Sequence, residues 1–282
     1  MTPITRQDIL QHQQQVPWPI LYQVEQDLLL CRAMIAIFND DFLSKQIAMR
    51  GGTVLHKVHL APASRYSEDI DLVVVGDRPE EHIRAAIKRV LNPLLGKQKT
   101  WGWESLKLAV RNAARPSRIL RVIYQVPSVS EPGKTLTIEI EANVTERQPF
   151  LPIVKYPFSI PFQHEQLSAD IPSYDIHEML GTKMRALFQR SKGRDLFDLY
   201  WSLTQNSMET VSCDEVIRCF NHYMSEEKTI VTRAEFLGHL DLRLEDRGFC
   251  SDMTPLLRAG LDYDVMKAGA YVREELVMKL DE

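Results

Sequence analysis

The chain has 282 residues, 44% of them hydrophobic, and a formal net charge of −4. That length can bury one large core or two smaller ones, and the acidic balance supplies no overall attraction to nucleic acid. No run of about 18 apolar residues is present, so no membrane partner is expected.

The polar start, MTPITRQDILQHQQQ, carries no apolar signal-peptide core and points to the cytoplasm. Residues 20–39 read as a long helix, because Leu21, Val24, Leu28, Cys31, Ile35 and Phe38 recur at three- and four-residue steps. A short apolar piece, QIAM, runs into Gly51-Gly52. Residues 70–76 (IDLVVVG) form a strand, followed by a helix in DRPEEHIRAAIKRVLNPLL, where Pro79 and early glutamates mark the start. Two further strands are expected at 119–126 and 135–144, joined through SVSEPGK, whose Pro-Gly suits a hairpin connection.

Beyond about residue 171 the pattern is helical: YDIHEMLGTKMRALFQR, a break at SKG, then RDLFDLYWSL, 212–225, 230–241 and 263–279, with loops around Gly248 and Pro255. On the helix after SKG, Leu196, Tyr200 and Leu203 make the expected core stripe and Asp195, Asp198 and Ser202 lie on another face. The expected class is α+β, with a mixed α/β half over 1–170 and an all-α half over 171–282. Cys31, Cys213, Cys219 and Cys250 lack CxxC spacing and read as buried thiols rather than a zinc site or a disulfide framework.

Charge is uneven. Between Lys97 and Arg121 lie seven cations (Lys97, Lys99, Lys107, Arg111, Arg115, Arg118, Arg121) and one acid, Glu104, with Trp101 and Trp103 among them. A solvated face is the simpler reading and a phosphate-binding surface the alternative.

The chemistry concentrates in RGGTVLHKVHLAPASRYSEDIDLVVVGD, residues 50–77. Aspartate is a poor strand former, yet Asp69 and Asp71 sit on one. Side chains alternate along a strand, so both point the same way with Cβ atoms roughly 6.5–7 Å apart. At an effective dielectric of about 20 they repel by roughly 2–3 kcal/mol. A divalent cation between them removes that cost, and hard oxygen ligands select Mg²⁺ or Mn²⁺. Upstream, Gly51, Gly52 and Thr53 stand at a strand-to-helix junction, where backbone N–H groups favour anions. Thr53 can add a hydroxyl donor, and Ser67 can place its hydroxyl beside the same phosphates. Together these residues have the layout needed to hold an NTP by its phosphates and its Mg²⁺. A third acid would complete a phosphoryl-transfer site. In TLTIEIEANV, Leu136, Ile138, Ile140 and Ala142 form the buried face, while Glu139, Glu141 and Asn143 share the other; spacing does not choose between the glutamates.

Gly51-Gly52-Thr53 followed by RYSEDIDL resembles the nucleotidyltransferase superfold shared with DNA polymerase β. With HEMLGTKMRALFQRSKGRDLFDLY, the chain resembles the AbiEii/AbiGii toxin branch in particular, whose motifs are GGT, an S-x-D-x-D strand, a distal lysine helix and an R-D-x-x-D helix. The resemblance covers roughly residues 45–205; the interval from Gly52 to Asp69 is long for the superfold, and an insertion at HKVHLAPAS would absorb it. It implies metal on Asp69 and Asp71, triphosphate at Gly52 and Ser67, Lys183 reaching a phosphate and Asp195 completing the centre. Arg194 and Asp198 belong to the same motif. EANVTER favours Glu141 over Glu139 as the third acid. The resemblance also implies a nucleotide moved from an NTP to an acceptor hydroxyl, with a tRNA 3′ end as acceptor and an antitoxin as partner. Two other readings remain: a transferase or kinase-like enzyme acting on a small-molecule or protein hydroxyl, and a non-catalytic binding subunit of the same fold.

Overall fold

The computed structural model describes residues 3–96, 98–106, 117–205 and 211–282. The described residues divide into two compact units, one within 3–105 and 117–174 and the other over 175–205 and 211–282. No described helix is long and apolar enough to cross a membrane.

The described strands of the first unit form one mixed sheet. They are β1 (Ile47–Met49), β2 (Asp69–Val74), β3 (Gln98–Leu106), β4 (Ser117–Pro127), β5 (Thr135–Asn143), β6 (Val154–Phe162) and β7 (Glu165–Ser173). The sheet order is β3-β4-β5-β2-β1-β7-β6. β2 runs parallel to β5 and antiparallel to β1, while β4 is antiparallel to β5. Nothing in the periodicity marks 154–173, yet β6 and β7 pair there over nine residues each. Pro157 and Pro161 hide the signal. Proline lacks the N–H a central strand needs, but β6 is an edge strand and tolerates the loss.

Helices α1 (Arg6–Gln13), α2 (Leu21–Phe38), α3 (Leu43–Gln46), α4 (Gly51–Val54) and α5 (Glu80–Leu95) complete this unit, with a π-helical turn at Leu55–His59. That turn takes up part of the long interval between Gly52 and Asp69. α2 packs against the sheet and α5 and is buried on nearly all sides, as an all-round apolar helix must be. Its polar residues have partners. The buried Glu25 carboxylate accepts from the backbone N–H groups of Val129 at 2.7 Å and Ser130 at 2.9 Å, fixing the β4–β5 connection.

The second unit contains α6 (Ile176–Gln189), α7 (Gly193–Thr204), α8 (Cys213–Glu226), α9 (Arg233–Glu245), α10 (Arg247–Ser251) and α11 (Val265–Glu275). Asp175, Ser212, Thr232 and Asp264 cap α6, α8, α9 and α11 through side-chain acceptors. Around Gly248 a short helix replaces the expected loop, because Asp246 caps it by accepting from Phe249 N at 2.6 Å. On α7 the core residues are Leu196, Phe197 and Leu199, whereas Tyr200 and Leu203 are half-buried. The face bearing Asp195, Asp198 and Ser202 is buried as well, which the expected stripe does not allow for.

Candidate active site

β2 places Ile70 and Leu72 in the core and leaves Asp69 and Asp71 half-buried on the other face. Its parallel partner β5 sets Asp69 opposite Glu139 and Asp71 opposite Glu141. Leu136, Ile138, Ile140 and Ala142 are buried behind them, as the alternation requires. One sheet face therefore carries four carboxylates in two facing rows. Burial, then the charges of Asp71, Glu139, Glu141 and Glu68, push the Asp69 carboxyl up to about 7. Glu141 is also raised, by burial first and by Asp71 second, while Arg121 pulls the other way.

The double-glycine turn lies against this face. β1 ends at Met49, and Arg50 N donates to the Asp71 carbonyl at 3.0 Å. Gly51 has φ +82°, a left-handed conformation that suits glycine. A Cβ there would run into the Asp71 carboxylate. At Gly52 a Cβ would meet the guanidinium of the buried Arg65. The glycines thus let the backbone approach both an acid and a cation. Thr53 is different: it is fully buried and its hydroxyl bonds Ser67 Oγ at 2.8 Å and the Asp69 carbonyl. In this conformation that hydroxyl ties the turn to β2 and is not presented to a ligand. Ser67, half-buried, is at the other end of the same link.

Of the basic segment, Lys97, Lys107, Arg111 and Arg115 lie outside the described residues, as do the side chains of Lys99, Trp101, Trp103 and Glu104. Arg118 lies 3.4 Å from Glu80. Arg121 joins the acid face: its Nε is 2.6 Å from Glu139 Oε1 and 2.8 Å from Glu141 Oε1, and its Nη2 donates to Glu141 Oε1 too. The sequence shows Arg121 only as one cation among seven. Its place opposite Glu141 follows from the β4–β5 register. His56 bonds Ser64 and His59 bonds Ser173, so each ring has a structural partner.

In the second unit, Lys183, Asp195 and Asp198 form a buried ion network. Lys183 Nζ is 2.7 Å from Asp198 and 3.5 Å from Asp195. Arg190 grips both Asp195 oxygens, at 2.7 and 2.8 Å. Burial would raise the Asp195 carboxyl, but Arg190 and then Lys183 outweigh it and hold it below the usual range. Arg194 turns elsewhere: its backbone N–H donates to Asp252 at 3.0 Å, and its guanidinium lies 3.8 Å from the same carboxylate.

Among the described residues, the triad with ligand atoms all within 4.8 Å of one another is His12, Asp27 and Cys31. It is already occupied chemically. The Lys57 ammonium pairs with Asp27 Oδ2, which also accepts from Trp18 at 2.8 Å. Burial pushes the Cys31 thiol up to about 12, so it is no thiolate ligand. No three of the described sheet carboxylates bring ligand atoms within that limit of one another. Their donor set fits a cation nonetheless: it is all oxygen, it is half-buried, and no described group donates a hydrogen bond to the Asp69 or Asp71 carboxylate.

A mixed sheet with a glycine turn against a paired-aspartate strand, and acids on the adjoining strand, defines a nucleotidyltransferase-type site. The chain matches the model of the family described as nucleotidyl transferase AbiEii toxin, type IV toxin–antitoxin system, over residues 32–269, and it belongs to that family. It is a toxin-family nucleotidyltransferase. Among solved structures it resembles MenT4, a nucleotidyltransferase toxin from Mycobacterium tuberculosis H37Rv. The TM-score is 0.65 at 16% identity, over 99% of this chain and 91% of that one, which shows the shared fold. No curated protein matches the chain in sequence.

Proposed function

We propose that the chain moves a nucleotide from an NTP to an acceptor hydroxyl with Asp69, Asp71 and Glu141 holding Mg²⁺ or Mn²⁺. The observation that carries this reading is the contact of the Gly51 turn with Asp71, which sets a backbone anion cradle beside a surplus of carboxylates. When bound, the metal supplies charge neutralisation at the phosphates and at the attacking oxygen. The backbone of Gly51 and Gly52 holds the triphosphate, assisted by Ser67. Asp69 and Asp71 fix where its charge is neutralised, so most of the catalysis is positioning. Glu139 stays beside the centre as a fourth carboxylate. Lys183, Asp195, Asp198 and Arg194 enter through the family motif: Lys183 as a phosphate contact, Asp195 as part of the reaction centre, Asp198 and Arg194 as support.

For the acceptor and setting, we infer a tRNA 3′ end, a cognate antitoxin protein and a cytoplasmic location. The family's type IV toxin–antitoxin description supports the antitoxin; the tRNA rests on family analogy. Incubation with total RNA, Mg²⁺ and each labelled NTP in turn tests the reading. Label in tRNA that disappears with Asp69→Ala and with chelator is the expected result. Label in protein or in a small molecule moves the acceptor elsewhere. No label with any NTP, and no difference on Asp69→Ala, overturns the proposal.

A further inference from the structure

Resting on the metal site proposed above, we infer that Arg121 is a positioning residue that braces Glu141 as the third metal ligand and keeps Glu139 out of that role. The β4–β5–β2 register sets Arg121, Glu141 and Asp71 in one row across three strands. Arg121 therefore meets Glu141 from the β4 side, opposite the aspartates. Nε and Nη2 both settle on Oε1 of Glu141, so one oxygen is held by two prongs. Oε2 takes no hydrogen bond from any described residue and is left for a cation. Glu139 Oε1 lies 2.6 Å from the same Nε, so that single N–H is shared between the two glutamates, while Nη2 donates to Glu141. The four carboxylates compete for one ion, and the fork distinguishes the two glutamates that spacing leaves equivalent. Ligating carboxylates are commonly fixed in this way by a hydrogen-bonding partner behind them.

Charge counting makes the opposite prediction. Arg121 is a cation beside four acids, and deleting it would strengthen binding of a divalent ion if electrostatics alone mattered. The brace predicts that binding weakens. Lysine keeps the charge but not the fork, and the two are not interchangeable where two prongs meet one carboxylate.

Mn²⁺ binding to the full chain, read as free Mn²⁺ by electron paramagnetic resonance without nucleotide, tests this. Arg121→Gln is expected to lower affinity about tenfold, and Arg121→Lys to fall short of wild type as well. The loss persists in a Glu139→Gln background and vanishes in Glu141→Gln. Circular dichroism melts confirm that each variant is folded, and Arg121→Lys serves if Arg121→Gln is not. Unchanged or tighter binding in Arg121→Gln, full restoration by lysine, or a loss that depends on Glu139 instead overturns the inference. Should the wild type bind no Mn²⁺, or Asp69→Asn bind as wild type, the underlying metal reading fails instead. Tight binding lost in Asp69→Asn but unaffected by Arg121→Gln isolates the failure to the brace.

Discussion

Gly51→Ala tests the close approach on which the site is built. Two costs are superimposed at this position. An alanine held at φ +82° costs about 1–2 kcal/mol, because its Cβ crowds the following carbonyl. The new methyl also occupies the space of the Asp71 carboxylate, so the acid must move. Gly133→Ala separates the two, since Gly133 has φ +91° but nothing within 4 Å of a built Cβ. Both variants should lose about 1–2 kcal/mol, a drop in Tm of roughly 2–4 °C per kcal/mol for domains of this size, with Gly51→Ala losing more. Only Gly51→Ala should lose transfer, by about 10²-fold if Asp71 shifts by about 1 Å. Thermal melts and labelled-NTP transfer are run side by side. If Gly51→Ala transfers at the wild-type rate, or if Gly133→Ala is as inactive, the turn does not position the acid and the reasoning fails.

Asp69 titrates at about 7 in the metal-free fold, above an unfolded value of about 3.9. Its bound proton stabilises the fold fully below the unfolded value, and that contribution is lost as pH rises through about 7; cation binding runs the other way. Mn²⁺ affinity should be about tenfold weaker at pH 6 than at pH 8, and a flat profile refutes the assignment. Asp27 is lowered because Lys57 and His12 outweigh the burial that would raise it. Its stabilisation is complete above the ordinary carboxylate value and is withdrawn as pH falls below it. Asp27→Asn strands the Lys57 ammonium and should cost about 3–5 kcal/mol in urea unfolding; a loss under 1 kcal/mol contradicts the buried pair. Lys183→Ala removes the cation 2.7 Å from the buried Asp198 and should destabilise the fold by a similar 3–5 kcal/mol, seen as a lower Tm without nucleotide.

The elements that sequence discloses are those whose signal is local. Asp69 and Asp71 break a strand's own rule, and the alternation in Leu136–Ala142 fixes which face the glutamates share. Gly51-Gly52 announces a tight approach because few other residues tolerate it. Non-local features stay hidden. Arg121 reaches Glu141 only through the β4–β5 pairing, whose register depends on a connection pinned by Glu25 over a hundred residues away. Thr53 reads as a ligand donor until folding brings its hydroxyl to the Asp69 carbonyl. Prolines at 157 and 161 mask β6 because an edge position, which sequence does not reveal, is what makes them harmless.

The two groups of acids differ in what already neutralises them, and that difference governs how substitutions should be read. On the sheet, Arg121 is the cation that meets the glutamates of a row of four carboxylates, and Asp69 answers with a raised pKa; a divalent ion relieves the strain. In the second unit, Asp195 and Asp198 are fully buried but bonded to Arg190 and Lys183, and Asp195 is lowered. A phosphate role for Lys183 begins with breaking its 2.7 Å pair, which leaves Asp198 buried without that partner. Loss of transfer in Lys183→Ala is therefore evidence of chemistry only if it exceeds what the melt accounts for. Asp69→Asn needs no such correction, because removing charge from a repulsive row should leave the metal-free protein as stable or more so while transfer is lost. If Asp69→Asn instead lowers Tm at pH 8, the carboxylates are already compensated in the empty fold, and the case for a cation between them falls.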